Sequence, residues 1–192
     1  MQTSTRPRIA DRLALFPDSA RIQNDSLFIA DLDLTALADQ YGTPLYIYDR
    51  LTLDTAVAAY RSALQTYYPA SSRITYAGKA FLCKALAAWT QEHHLFIDCT
   101  GEGEIAVAVA GGVPRENILV HGVNKSVEDL KAALKSAGTI VVDNLTELHR
   151  IHVILSDQRE RRIATTASET LRSQQTLPQR DIHIWLRLLP GV

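Results

Sequence analysis

A repeat constrains this chain more than any other feature. Strand-forming runs begin at residues 73, 95, 117 and 139, at intervals of 22: RITYAGKA (73–80), LFIDC (95–99), NILVHG (117–122) and TIVVDN (139–144). Between them lie LCKALAAWTQEHH, GEIAVAVAGG and SVEDLKAALKSAG, and LTELHRIHVILSD follows the last. Their apolar residues recur mostly at three- and four-residue spacings, as a helix needs in order to lay one face on a sheet. The repeating unit is therefore a strand followed by a helix. Ser126 with Asp129, and Asn144 with Glu147, supply N-caps with an acid three residues on. Gly111-Gly112 and Gly138 stand where a left-handed residue is expected just past a helix.

LYIYD (45–49) with the helical LTLDTAVAAYRSALQTYY adds a unit in front, and DIHIWLRLLP (181–190) adds a strand behind, giving six candidate strands. Strands joined by single short helical crossovers run parallel with right-handed connections, which leaves an open doubly wound sheet or a closed β/α barrel. Regular spacing near the minimum favours the barrel. A complete eight-stranded barrel takes roughly 250 residues, whereas this repeat occupies residues 45–192. The expected architecture is an incomplete (β/α)8 TIM barrel with about six strands. Residues 1–44, with the strand-like SLFIADLDL and the helix candidate TALADQYG, are expected to form a separate N-terminal segment. Residues 157–180 are polar and poor in large apolar side chains, and read as a mobile surface insertion.

Composition limits the partners. Lys and Arg number 20 against 21 Asp and Glu, a net charge of -1, so no broad basic surface is expected for nucleic acid or an anionic membrane. The first twenty residues break every apolar run with Arg or Asp, which reads as a cytoplasmic protein without a secretory signal or span. Two cysteines, Cys83 and Cys99, make neither a disulfide framework nor a four-cysteine zinc site. No metal is expected: His93-His94 and His149 with His152 lack a completing carboxylate or thiol.

Chemistry in a β/α barrel gathers where the strands end, because the loops there converge on the barrel axis. Lys79 closes RITYAGK, Asp98 closes LFID and His121 closes ILVH, equivalent places in successive units. A lysine held there beside other charges can act as an amine nucleophile toward a carbonyl and form a Schiff base. The plainer readings are a strand-end lysine in water and an aspartate that forms a turn.

YGTPLYIYD (41–49), YAGKA (76–80), DCTGEGE (98–104), HGVNKS (121–126), VDNLTEL (142–148) and LRLLPGV (186–192) follow one another in the order and spacing of a known family. The chain resembles the diaminopimelate, ornithine and arginine decarboxylases, pyridoxal-phosphate enzymes with an alanine-racemase-like barrel, and looks most like the diaminopimelate branch. The resemblance implies that Lys79 holds pyridoxal 5'-phosphate as a Schiff base. It also implies that Asp98, Glu104 and Arg187 line the cofactor site. It further implies loss of carbon dioxide from a diamino acid, most similar to conversion of meso-diaminopimelate to lysine, with ornithine and arginine as other substrates, and a homodimer. In that family the ring-stacking histidine, the glycine-rich phosphate loop and the glutamate at the pyridinium nitrogen follow the last of these motifs, so the resemblance covers an N-terminal barrel part. Phe81, Gly101, Glu102, Val123 and Leu189 depart from the family pattern, and a truncated or divergent non-catalytic relative is the alternative reading.

Overall fold

The computed structural model describes residues 9–169 and 182–186. The chain divides into two compact units, Met1–Ser72 and Arg73–Val192. In the first unit, strands β1 (Arg21–Gln23), β2 (Ser26–Ile29) and β3 (Leu32–Asp33) form an antiparallel sheet. Both hairpins turn on two left-handed residues, Asn24-Asp25 and Ala30-Asp31, the twist that suits two-residue hairpin loops. SLFIADLDL is thus two strands and a turn rather than one strand. Ala30-Asp31 carries no glycine or asparagine to announce it, and the Ala30 amide instead donates to Ser19 Oγ at 3.0 Å.

Helix α1 (Leu34–Tyr41) starts at Asp33, whose carboxylate accepts from the Thr35 amide, and α2 (Arg50–Tyr67) starts at Asp49, which accepts from the amide and hydroxyl of Thr52. LYIYD forms no strand: residues 45–49 are irregular and belong to neither sheet. The division at 72/73 leaves LYIYD and α2 with the first unit, beyond the 44/45 boundary read from the sequence. The Asp18 amide donates to Thr52 Oγ1 at 2.8 Å and ties the segment before β1 to the first turn of α2.

The second unit alternates β4 (Thr75–Ala77), α3 (Lys84–Glu92), β5 (Phe96–Cys99), α4 (Glu102–Ala110), β6 (Ile118–Val120), α5 (Val127–Ser136), β7 (Thr139–Val142), α6 (Leu145–Glu169) and β8 (His183–Leu186). All neighbours are parallel, and the spatial order β4-β5-β6-β7-β8 is the chain order. That order decides between the two candidate architectures. A doubly wound sheet reverses direction at a switch point, whereas right-handed crossovers always stepping the same way keep every helix on one face, as in a barrel wall. The described sheet holds five strands of this incomplete barrel rather than six, because LYIYD is not among them.

Strand alternation sorts the side chains. Ile97, Cys99, Ile118, Val120, Ile140 and Val142 are at most 1% exposed and pack against Ala87, Ile105, Ala108, Leu130, Ala133, Ile151 and Ile154 of the helices. Burying each large aliphatic side chain there contributes about 1.5–3 kcal/mol. Asp98, paired in register with Ala77 and Leu119, lies on the opposite, barrel-interior face. Gly112 takes the left-handed conformation, at φ 84°, past α4. Gly138 does not. It is small because a Cβ would stand 2.7 Å from Glu116 Cα. The expected insertion begins as helix, since α6 runs on to Glu169 through a stretch rich in Gln, Arg, Glu and Ala with neither Gly nor Pro; residues 170–180 lie outside the described residues. Among the described residues no helix is long and apolar enough to cross a membrane.

Candidate functional site

The polar strand-end residues gather at the C-terminal edge of this sheet. β4 stops at Ala77, and Gly78–Ala80 form one tight 3-10 turn, so Lys79 sits just beyond the strand rather than in it, and is exposed. Two contacts shape the turn. Gly78 is buried, and a Cβ on it would lie 2.8 Å from the Asp98 carbonyl and 3.2 Å from Glu104 Oε2. Only glycine lets the chain approach β5 so closely. The Tyr76 hydroxyl then donates to the Phe81 carbonyl at 2.7 Å, spanning the lysine turn, while its ring meets Trp89 edge-on at 6.2 Å.

On β5, Asp98 Oδ2 lies 3.9 Å from His121 Nδ1, one residue past β6. The His121 amide donates to the Cys99 carbonyl at 2.9 Å, extending the ladder by one residue and keeping the imidazole on the Asp98 face. Burial raises the Asp98 carboxyl above its ordinary range; the positive charges of His121 and Lys79 oppose this, and the Glu104 carboxylate adds to it. Asp98 Oδ1 and His121 Nε2 are buried without a hydrogen-bond partner among the described residues. Burial, with Glu104 and Asp98 nearby, pushes the Cys99 thiol up to about 12, so on the core side of the same strand it stays an unreactive thiol.

Glu104 accepts from the Thr100 amide at 2.7 Å, which fixes its carboxylate at the start of α4 between Gly78 and the end of β5. Asp129 completes the rim. Its Oδ2 closes a capping box with Ser126, and its Oδ1 accepts from the Glu102 amide at 2.8 Å, so one carboxylate serves the first turns of α4 and α5. Although burial works against it, these hydrogen bonds from Glu102 and Ser126, with Lys125 nearby, hold Asp129 below the ordinary carboxylate range. Gly101 must be glycine for this, since a Cβ would stand 2.7 Å from Asp129 Oδ1.

Of the residues singled out from sequence, Lys79, Asp98 and Glu104 come to one end of the sheet; Arg187 lies outside the described residues. Sequence reasoning missed the Lys125–Glu147 pair. Both residues are 1% exposed, with Lys125 Nζ 2.9 Å from Glu147 Oε2. Asn144 does cap α6, accepting from the Glu147 amide at 2.9 Å, but the Glu147 carboxylate turns to Lys125 and to the Asp143 amide. The available signal was a lysine, Lys125, directly before the helix-capping Ser126, a place with no need for a cation. Among the described residues no group of three or more His, Cys, Asp or Glu is arranged to hold a metal ion.

Comparison with known proteins adds three findings. The family described as "Pyridoxal-dependent decarboxylase, pyridoxal binding domain" matches residues 53–180. Diaminopimelate decarboxylase of Mycobacterium bovis is 42% identical over 131 residues, covering 67% of this chain and 28% of that protein; that of Bacillus subtilis is 38% identical over 131 residues, covering 68% and 30%. The chain thus spans under a third of the length of either relative. Among solved structures, diaminopimelate decarboxylase from Helicobacter pylori complexed with L-lysine aligns at TM-score 0.55 and 27% identity, covering 65% of this chain and 31% of that one. The enzyme from M. jannaschii aligns at TM-score 0.67 over 73% and 33%, and at 24% identity speaks for the fold.

Proposed function

This chain belongs to the pyridoxal-dependent decarboxylases through their pyridoxal binding domain, and from that premise we propose that it is the barrel part of a diaminopimelate decarboxylase. The reaction is loss of carbon dioxide from meso-diaminopimelate to leave lysine. The observation that carries this reading is the placement of Lys79 beside Asp98 and Glu104 at the C-terminal strand ends, in a chain 42% identical to a diaminopimelate decarboxylase over the matched region.

The residues fit the cofactor. An exposed amine stands at the mouth, and beside it two buried polar atoms, Asp98 Oδ1 and His121 Nε2, lack protein partners among the described residues. When bound, pyridoxal phosphate supplies an aldehyde that condenses with an amine and a ring that takes up the electron pair left as carbon dioxide departs. Lys79 supplies the amine. An amine attacks a carbonyl only after giving up its proton, and Asp98, whose carboxyl burial already biases toward holding one, is the nearby group suited to accept it. Glu104, anchored on the Thr100 amide, keeps a fixed negative charge beside the pair. His121 offers Nε2 on the same side as a hydrogen-bonding group for a polar ligand atom.

We assign Lys79, Asp98, Glu104 and Arg187 to the cofactor site, with residues 45–192, which contain the family match at 53–180, as the barrel part and 1–44 as a preceding segment. A small diamino acid as substrate, a homodimer as the working assembly and a cytoplasmic location complete the proposal. The test is chemical. Pyridoxal phosphate is added to the 192-residue chain, followed by borohydride and peptide mapping. A reduced pyridoxyl group on Lys79, absent from Lys79→Ala, supports the site; labelling spread over surface lysines, or none, overturns it.

A further inference from the structure

Two fully buried opposite charges, Lys125 and Glu147, lie beside the site without taking part in it. Removing two ions from water costs several kcal/mol each, and an apolar pair of the same volume holds a core equally well. An apolar pair could not, however, hold main-chain polar groups, and here that is what the charges do. Glu147 Oε1 accepts from the Lys125 amide at 3.0 Å and Oε2 from the Asp143 amide at 3.1 Å, while Lys125 Nζ donates to the Gly122 carbonyl. Arg150 Nη1 adds a bond to the Lys125 carbonyl at 3.3 Å. The backbone groups gripped are therefore those of the segments leaving β6 and β7, and Gly122 is the residue after His121.

The grip has little room to slip. A Cβ on Gly122 would stand 1.9 Å from the Thr100 carbonyl oxygen, so the exit of β6 rests backbone to backbone on the exit of β5. Between these contacts the imidazole of His121 is set 3.9 Å from Asp98.

We propose that Lys125 and Glu147 form a positioning pair that fixes the turn after β6, and so holds His121 against Asp98 in the amine-bearing site. The relevance to pyridoxal chemistry rests on the function proposed above; the geometric claim does not. Asp98 faces His121 at 3.9 Å, and the charges of Glu104 and Lys79 act on Asp98 in turn.

The test uses the 192-residue chain with Lys125 and Glu147 both replaced, as Lys125→Met with Glu147→Leu, after circular dichroism has established a native fold. Imidazole NMR then follows the His121 titration, and borohydride trapping measures the reaction of Lys79 with pyridoxal phosphate. The expected result is a His121 titration curve that differs from the parent's, with trapping about threefold slower and no further slowing when His121→Asn is already present. Should the double variant not fold, Glu147→Gln, which keeps the shape, is read by the same titration. A folded variant with an unchanged His121 titration overturns the proposal, as does slowing that persists undiminished in His121→Asn. If the parent chain shows no trapping at Lys79, the functional reading falls while the titration still decides the positioning claim.

Discussion

The carboxylate of Asp98 and the imidazole of His121 face one another at 3.9 Å across adjacent parallel strands, each with one buried polar atom that no described protein group satisfies. A fold optimised for stability alone would not leave that pair so. Its cost is a property of the site, and it is measurable.

Replacing Asp98 with Asn is expected to stabilise the chain at neutral pH. An acid raised above its ordinary value of 3.8 in the folded state favours folding when protonated. That contribution is whole below the ordinary value and is lost as pH rises through the raised one. Asp98→Asn removes the penalty above this window, so it should melt higher than the parent at pH 7, with the difference shrinking toward about pH 4. Trapping at Lys79 should slow in the same variant. An equal or lower melting temperature at pH 7 would show that the burial of Asp98 is fully compensated.

Asp129 should behave in the opposite sense. Its carboxyl is lowered in the folded state, so its stabilisation is present above the ordinary value of 3.8 and disappears as pH falls through the lowered value. Because one carboxylate caps the starts of both α4 and α5, Asp129→Ala is expected to cost about 1–2 kcal/mol at pH 7. Urea unfolding at pH 7 and at successively lower pH checks this, with parent and variant converging as pH falls through the lowered value. A difference that survives unchanged to the acid end of the series would place the effect in packing rather than in the caps.

How much of this could be read from the sequence follows from the range of the interactions. The repeat, the helices and the cap at Ser126 are local, and periodicity and spacing expose them. LYIYD has the composition of a strand but joins neither sheet, and strand formation depends on a partner that local sequence does not contain. The turn at Ala30-Asp31 was hidden because alanine rarely adopts φ 48°. The strand-end placement of Lys79, Asp98 and His121 was legible because the period of the unit fixes where each strand stops. The roles of Lys125 and Glu147 were not, because two residues 22 apart meet only when neighbouring units pack.

Two glycines on the rim and its first helix should respond to alanine with opposite signs. In α4, Gly103 has nothing within 4 Å of a would-be Cβ, so Gly103→Ala should stabilise by about 0.5–1 kcal/mol through reduced freedom of the unfolded chain. Gly122 has the Thr100 carbonyl oxygen 1.9 Å away, so Gly122→Ala should destabilise by about 1–3 kcal/mol as strands part to admit the methyl group. Chemical denaturation of the two variants is the measurement. A tolerated Gly122→Ala would mean the exits of β5 and β6 are looser than their close approach indicates.

The two thiols offer a last, purely chemical check on the barrel wall. Cys99 lies wholly inside the layer between sheet and helices, with its thiol pushed up to about 12, whereas Cys83 is half-buried at the start of α3. A thiol reagent attacks the thiolate and needs access to it, so the native chain should show one cysteine reacting readily and a second only on unfolding. The Cys99 rate should then follow the opening of the β5 core, rising with sub-denaturing urea at the slope of the global transition. If Cys99 reacts as fast as Cys83 in native buffer, the packing of β5 against α3 and α4 is wrong, and with it the face to which Asp98 is assigned. The strand alternation that sends Cys99 inward is the same alternation that sends Asp98 toward Lys79.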